Sequence, residues 1–214
     1  RRCRTLDNYV ITLGRQFGSL GRAIAHETAD LLSIQYYDRD IVEEVAKRMK
    51  QPVKVISQVE EEAKSRFGVF GKMLFPLGDG TRELQDRTFF VQECVLRDFA
   101  DRGPCILVGR CADYVMQGRE NLLRVFIYAP KEARIRNCVE QLHMDREQAY
   151  KMCADVDRAR ARYHERYAGY PVMDPEHFDV MMNSDLLGVS GTAAALADLA
   201  RRKFHLPDPS AKEL

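Results

Sequence analysis

A mostly apolar, β-branched run, Tyr9-Val10-Ile11-Thr12-Leu13, stops at Gly14, and two more glycines follow at positions 18 and 21 before helical spacing sets in. Such a run suits a strand buried on both faces, as in a parallel sheet. Beyond Gly21 the residues Ile24, Thr28, Leu31 and Leu32 recur at helical spacing, and Ser33 to Tyr37 read as the next strand. Strand, glycine-rich turn, helix and strand in that order commit the chain to a βαβ unit, which needs partners of the same kind. The sequence supplies them. A helix is expected from about Arg39 to Lys50, a strand at Cys105 to Val108 closing at Gly109, a strand at Leu123 to Tyr128, a helix from Lys131, a strand at Phe178 to Met182, and a helix through Ala193 to Lys203. The alternation predicts an α/β fold whose parallel sheet is covered on both faces and binds ligands beyond the carboxyl ends of its strands.

Two segments interrupt it. Residues 51–103 contain no strand pattern: Pro52 starts a helix, a Gly-rich stretch runs from Phe67 to Gly80, and Leu84, Thr88, Val91, Val95 and Phe99 mark a long helix. This reads as a helical insertion with a mobile loop, set into a core of about 9–50 and 104–205. The second is a helix opened by Asp145 with Gln148 three residues on, a capping-box pattern, and closed near Gly169. It is rich in arginine and spans about 145–170. The tail from Pro207 to Leu214 reads as disordered.

At 214 residues with a formal net charge of +1 and 45% hydrophobic residues, the chain reads as one domain with a self-sufficient core. The charge balance argues against nucleic acid as the main partner. No apolar run approaches the roughly 20 residues that cross a bilayer, and Arg1 to Arg4 lead into polar sequence, so a cytoplasmic protein with no membrane association is expected. The six cysteines and five histidines are dispersed, without C-x-x-C pairs or zinc spacing, and read as reduced thiols and structural or surface imidazoles.

The chemistry concentrates at Gly14-Arg15-Gln16-Phe17-Gly18-Ser19-Leu20-Gly21-Arg22, between the first strand and the first helix. Glycines let the backbone curl so that successive N–H groups point inward, and the helix N-terminus adds partial positive charge; the stretch reads either as an anion site built this way or as an ordinary Gly-rich βα turn. Arg22 adds a full charge. The spacing departs from G-x-x-x-x-G-K-[ST]: the glycine gaps are four and three, no Lys follows, and Ala23 stands after Arg22. G-x-G-x-x-G is also absent at this turn, which disfavours a dinucleotide-dependent oxidoreductase.

The strings Val10 to Arg22, Tyr36-Tyr37-Asp38-Arg39, Ile106 to Asp113, Val125 to Pro130, Val156-Asp157 with Arg160 and Tyr163, and Phe178-Asp179 with Asn183-Ser184 occur in one order over about residues 9–190. Together they resemble the cytidylate kinase-like family within the P-loop nucleoside monophosphate kinases. The resemblance implies a P-loop NTPase-like three-layer α/β/α fold with a five-stranded parallel sheet, a helical acceptor-binding insertion and an arginine-bearing lid over the donor phosphates. It implies an acceptor side formed by Gly109-Arg110 with Asp113 nearby, and by Asp38 and Arg39. Asp38 can equally be read as the cap of the helix that starts at Arg39.

Arg158, Arg162 and Arg166 recur at four-residue steps on one face of the arginine-rich helix, with Arg160 on another side. Either they form a solvated face balanced by Asp155, Asp157 and Glu165, or the helix delivers a guanidinium to a transferring phosphoryl group, where planar cations neutralise developing charge. The family pattern favours Arg160, with Arg158 and Arg162 as further candidates. Tyr163, Tyr167 and Tyr170 could stack on a base, but such residues more often pack and anchor the helix. Magnesium would accompany ATP, with Ser19, Asp38 or Asp113 as candidate oxygen contacts. The function implied is ATP-dependent phosphoryl transfer to a small phosphorylated acceptor, most simply CMP or dCMP. The rival is a non-catalytic nucleotide-binding or sensing protein with an altered loop. A homodimer is left open.

Overall fold

In β1 (Val10–Arg15) the first four residues are buried, and alternate side chains enter opposite layers: Val10 lies in one apolar cluster, Ile11 and Leu13 in another. β3 (Cys105–Val108) repeats the pattern, with Cys105 and Leu107 on the first side and Ile106 and Val108 on the second. A strand buried on both faces must be sandwiched, and β1 is central. The computed structural model describes residues 8–50 and 82–207. It has one five-stranded sheet in the order β2-β3-β1-β4-β5, all pairings parallel, completed by β2 (Gln35–Tyr37), β4 (Leu122–Tyr128) and β5 (Val180–Asn183). The expected α/β/α architecture with a five-stranded parallel sheet is therefore present.

One face is covered by α1 (Gly21–Leu32) and α7 (Ser184–Phe204), which bury Ile24, Ala25, Leu196 and Phe204 against the sheet. The other is covered by α2 (Arg39–Arg48), α3 (Arg82–Asp101) and the short α4 (Ala112–Val115). Each fully buried Ile or Leu in these layers contributes roughly 1.5–3 kcal/mol relative to an exposed position. A third apolar cluster unites Phe17 of the glycine-rich turn with Ile135 and Cys138 of α5 (Lys131–Leu142) and Met152, Cys153 and Val156 of α6 (Arg146–Ala168). This third cluster positions the site, because it seats the turn against two helices.

Asp145 caps α6 by accepting from the backbone N–H of Gln148 at 2.8 Å, and Gly169 closes it in a left-handed conformation. The last helix begins at Ser184, directly after β5, and runs through the expected Ala193 to Lys203. Its first turn carries the exposed Leu186 and Leu187 and is separated from the rest by a non-helical Gly188, so no continuous apolar stripe announces it. The helix expected at Pro52 and the Gly-rich stretch Phe67 to Gly80 lie outside the described residues, as does the tail from residue 208. Among the described residues, no helix is long and apolar enough to cross a membrane.

Candidate functional site

The turn after β1 is held from behind by side chains distant in sequence. Asp157 of α6 accepts from the Phe17 N–H at 2.7 Å and pairs through its other oxygen with Arg134 of α5 at 2.5 Å, while Arg134 also donates to the Phe17 carbonyl at 3.2 Å. Asn137 donates to the Gly18 carbonyl at 2.9 Å, and Ser184 Oγ donates to the Ser19 carbonyl at 2.8 Å. Gly18 sits at φ +75°, and a Cβ there would lie 2.7 Å from the Arg134 carbonyl oxygen, so only glycine lets the turn lie this close to α5. With the Phe17, Gly18 and Ser19 carbonyls engaged at the rear, the curled turn from Arg15 to Gly21 has an open front.

That front lines a cavity of about 270 Å³, together with Arg22, Ala23, Asn137, Gln141, Leu142 and Arg160. Arg160 reaches it from the middle of α6, donating from Nη1 to the Arg15 carbonyl at 3.0 Å. Arg15 itself turns toward β3: its guanidinium passes beneath Gly109, where a Cβ would lie 2.0 Å from Nη1, and its Nη2 lies 3.6 Å from Asp38 Oδ1. Gly109 is thus required by the path of Arg15 as well as by its own φ of +71°. Arg22, on the first turn of α1, places Nε 2.5 Å from Asp38 Oδ2. Asp38 occupies the N-cap position of α2 but makes no capping hydrogen bond. Its buried carboxylate faces Arg15 and Arg22 instead, so of the two roles open from sequence the cap is not the one it fills.

The electrostatics follow from crowding cations in a dry place. Burial would raise the Asp38 carboxyl, but Arg15 and Arg22 outweigh it and hold it below the usual range. Burial, with Arg15 adding to it, pulls the Arg160 guanidinium down to about 9. Arg110, immediately after Gly109, is pulled to about 10 by burial, with Asp38 opposing. An anion placed beside such cations would offset part of the cost of burying them.

The sequence candidates divide accordingly. Gly14 to Arg22, Asp38, Arg110 and Arg160 come together around the carboxyl ends of β1, β2 and β3. Arg158 and Arg162 do not join them: both are exposed, and Arg158 pairs with Asp155 at 3.4 Å. Arg39 is also exposed on the solvent side of α2. Asp113 is buried, but its Oδ2 receives the Tyr170 hydroxyl and His164 Nε2, both at 2.8 Å, so it ties α4 to the end of α6. Tyr163 and Tyr167 pack in the core with Phe89, as expected, and Tyr170 stacks on His177. The residues that reasoning from sequence missed are Arg134 and Asn137, whose only sequence signal is a polar position on an otherwise ordinary amphipathic helix.

The candidate magnesium contacts are committed elsewhere. Ser19 is fully buried and donates its hydroxyl to the Gln16 carbonyl at 2.9 Å; Asp38 lies between two arginines; Asp113 is held by His164 and Tyr170. Among the described residues, no group of three or more His, Cys, Asp or Glu side chains could hold a metal ion. In this arrangement the donor set does not fit a protein-held magnesium.

The model of the cytidylate kinase-like family matches residues 10–186. The fold is similar to that of an uncharacterized protein from Eubacterium ventriosum, at 20% identity with a TM-score of 0.64, covering 94% of this chain and 100% of that one. It is also similar to shikimate kinase from Bacteroides thetaiotaomicron, at 11% identity and a TM-score of 0.51, covering 89% of this chain and 97% of that one. At these identities the likeness is one of fold. No curated protein sequence matches the chain.

Proposed function

The chain belongs to the cytidylate kinase-like family, and on that premise we propose that it transfers a phosphoryl group from ATP to a small phosphorylated acceptor, CMP or dCMP being the simplest choice. The observation that supports this most is that Arg22 and Arg160 line the cavity of one glycine-rich turn from separate elements, while Arg15 of the same turn sends its guanidinium beneath Gly109 to Asp38. A phosphoryl in flight carries spread negative charge and asks for little covalent chemistry, so catalysis reduces to positioning and charge neutralisation. The turn and Arg160 would hold the donor phosphates. Arg110, at the end of β3, would receive the acceptor phosphate, and Asp38 would keep Arg15 and Arg22 aligned between the two. The attacking acceptor phosphate is already anionic, so no general base is needed.

A second reading is favoured by one contact. Arg22, the turn's own cation, is directed at Asp38, which suits a nucleotide-sensing module whose loop has given up transfer. Incubation with ATP and a panel of nucleoside monophosphates, with direct detection of diphosphate products, separates the two readings. A diphosphate from any acceptor supports the kinase; tight nucleotide binding with no product from the whole panel supports the sensor.

A further inference from the structure

Phosphate-binding turns commonly share the anion's charge with a divalent cation held partly by a hydroxyl at the start of the following helix. Among the described residues, the candidates for that part have other tasks. Ala23 stands where the hydroxyl residue would be. Ser19 is fully buried on the rear of the turn, its hydroxyl donated to Gln16 and its carbonyl occupied by Ser184. Asp157 accepts from the Phe17 N–H and pairs with Arg134, and the two oxygens of Asp38 face Arg15 at 3.6 Å and Arg22 at 2.5 Å, so a metal drawn to either carboxylate would have to approach fixed cations. Asp113 receives two hydrogen bonds from His164 and Tyr170.

Positive charge, by contrast, is already built into the walls. The Arg15 and Arg22 side chains are 11% and 31% exposed and share one described carboxylate, and Arg160 spends a hydrogen bond on the Arg15 carbonyl while lining the same cavity. Guanidinium groups offer planar, multi-donor contacts to phosphate oxygens without coordination geometry or bound water to arrange. Magnesium chelation removes charge from a polyphosphate, and an arginine-walled site therefore attracts the chelate less than the free anion.

We propose that this site takes its polyphosphate ligand as the free anion, with the guanidinium groups of Arg22 and Arg160 standing in place of a divalent cation. The proposal rests on the phosphate-binding reading of the turn and adds the ionic form of the ligand. Buried arginine makes the substitution effective: burial lowers the charged-state preference of Arg160, and the full charge of an unchelated phosphate restores it.

The test is calorimetric titration of ATP, and separately of inorganic tripolyphosphate, into the full chain at matched ionic strength, once in excess EDTA and once in excess magnesium. Binding in EDTA as tight as in magnesium, or tighter, is the expected result for both ligands. Tighter binding in magnesium than in EDTA overturns the proposal while leaving the turn as a phosphate site. Failure of both ligands to bind in either buffer overturns the phosphate-site reading itself, and the proposal with it. Arg160→Ala supplies a second readout that loss of packing would not mimic: the ratio of the EDTA affinity to the magnesium affinity should fall several-fold, because one of the standing cations has gone. An unchanged ratio in a folded variant removes Arg160 from the proposal.

Discussion

Arg160 Nη1 donates to the main-chain carbonyl of Arg15 at 3.0 Å, joining residues 145 positions apart. The contact fixes the middle of α6 against the end of β1, so the arginine-bearing helix and the glycine-rich turn form one unit. Of the arginines on this helix, Arg160 lines the cavity, whereas Arg158 and Arg162 face solvent. Arg160→Ala is therefore expected to lower turnover by roughly a hundredfold or more, the scale for losing a cation on transferring phosphoryl oxygens. Arg158→Ala and Arg162→Ala should stay within about threefold of wild type, since surface substitutions change little. Steady-state kinetics on the three variants, with circular dichroism to verify the helix, checks the assignment. Equal losses in all three would place catalysis elsewhere.

The rear of the turn should govern stability more than chemistry. Asp157 satisfies both the Phe17 N–H and the Arg134 guanidinium. Asp157→Ala leaves a mostly buried cation and a backbone donor without their partner, and the expected destabilisation is about 2–4 kcal/mol. Gly18→Ala should cost about 2 kcal/mol or more, because the added methyl meets the Arg134 carbonyl at 2.7 Å in a left-handed backbone conformation. Urea unfolding of both variants measures these losses. Wild-type midpoints would show that the turn is not held by α5 and α6.

Acceptor and donor ends should separate kinetically. Arg110 follows Gly109 at the end of β3, and the cavity of the turn does not include it. Arg110→Ala is expected to raise KM for the monophosphate by at least tenfold more than KM for ATP. Equal shifts in both would merge the two subsites.

His164 supplies a pH dependence. Its Nδ1 faces the Tyr170 carbonyl at 3.0 Å and its Nε2 faces the Asp113 carboxylate at 2.8 Å, so both ring nitrogens meet acceptors and the doubly protonated ring satisfies both. Burial acts to lower its pKa, but the hydrogen bond and charge of Asp113, with the Tyr170 carbonyl, raise it overall. A folded pKa raised above the unfolded value of about 6.5 stabilises the protein fully below that pH, and the contribution is lost as pH rises through the folded value. Denaturation of wild type between pH 6 and 9 should show this loss, and His164→Gln should flatten it. A wild-type profile identical to that of the variant would exclude the charged pair.

Much of this was legible in the residues themselves. The β1–turn–α1 unit follows from a buried strand pattern running into glycines, whereas local spacing alone leaves an anion site and an ordinary turn both open. The capping of α6 by Asp145 is also local, which is why the expectation matches the hydrogen bond to Gln148. What sequence could not show depends on distance. Asp38 reads equally as a cap or a site residue until Arg15 is seen passing beneath Gly109 to meet it. The pairing of Arg134 with Asp157, and their joint hold on Phe17, connects three elements that no periodicity links. Arg158, Arg160 and Arg162 differ only in helical phase, and their roles separate once α6 is docked on α5.

The most direct test of the whole account is phosphoryl transfer itself: wild-type protein, ATP labelled at the terminal phosphate, and a panel of nucleoside monophosphates led by CMP and dCMP, with labelled products resolved chromatographically in magnesium and in EDTA. A labelled nucleoside diphosphate, formed by wild type and reduced about a hundredfold in Arg160→Ala, is the expected result. ATP bound tightly with its label never transferred to any acceptor would contradict it.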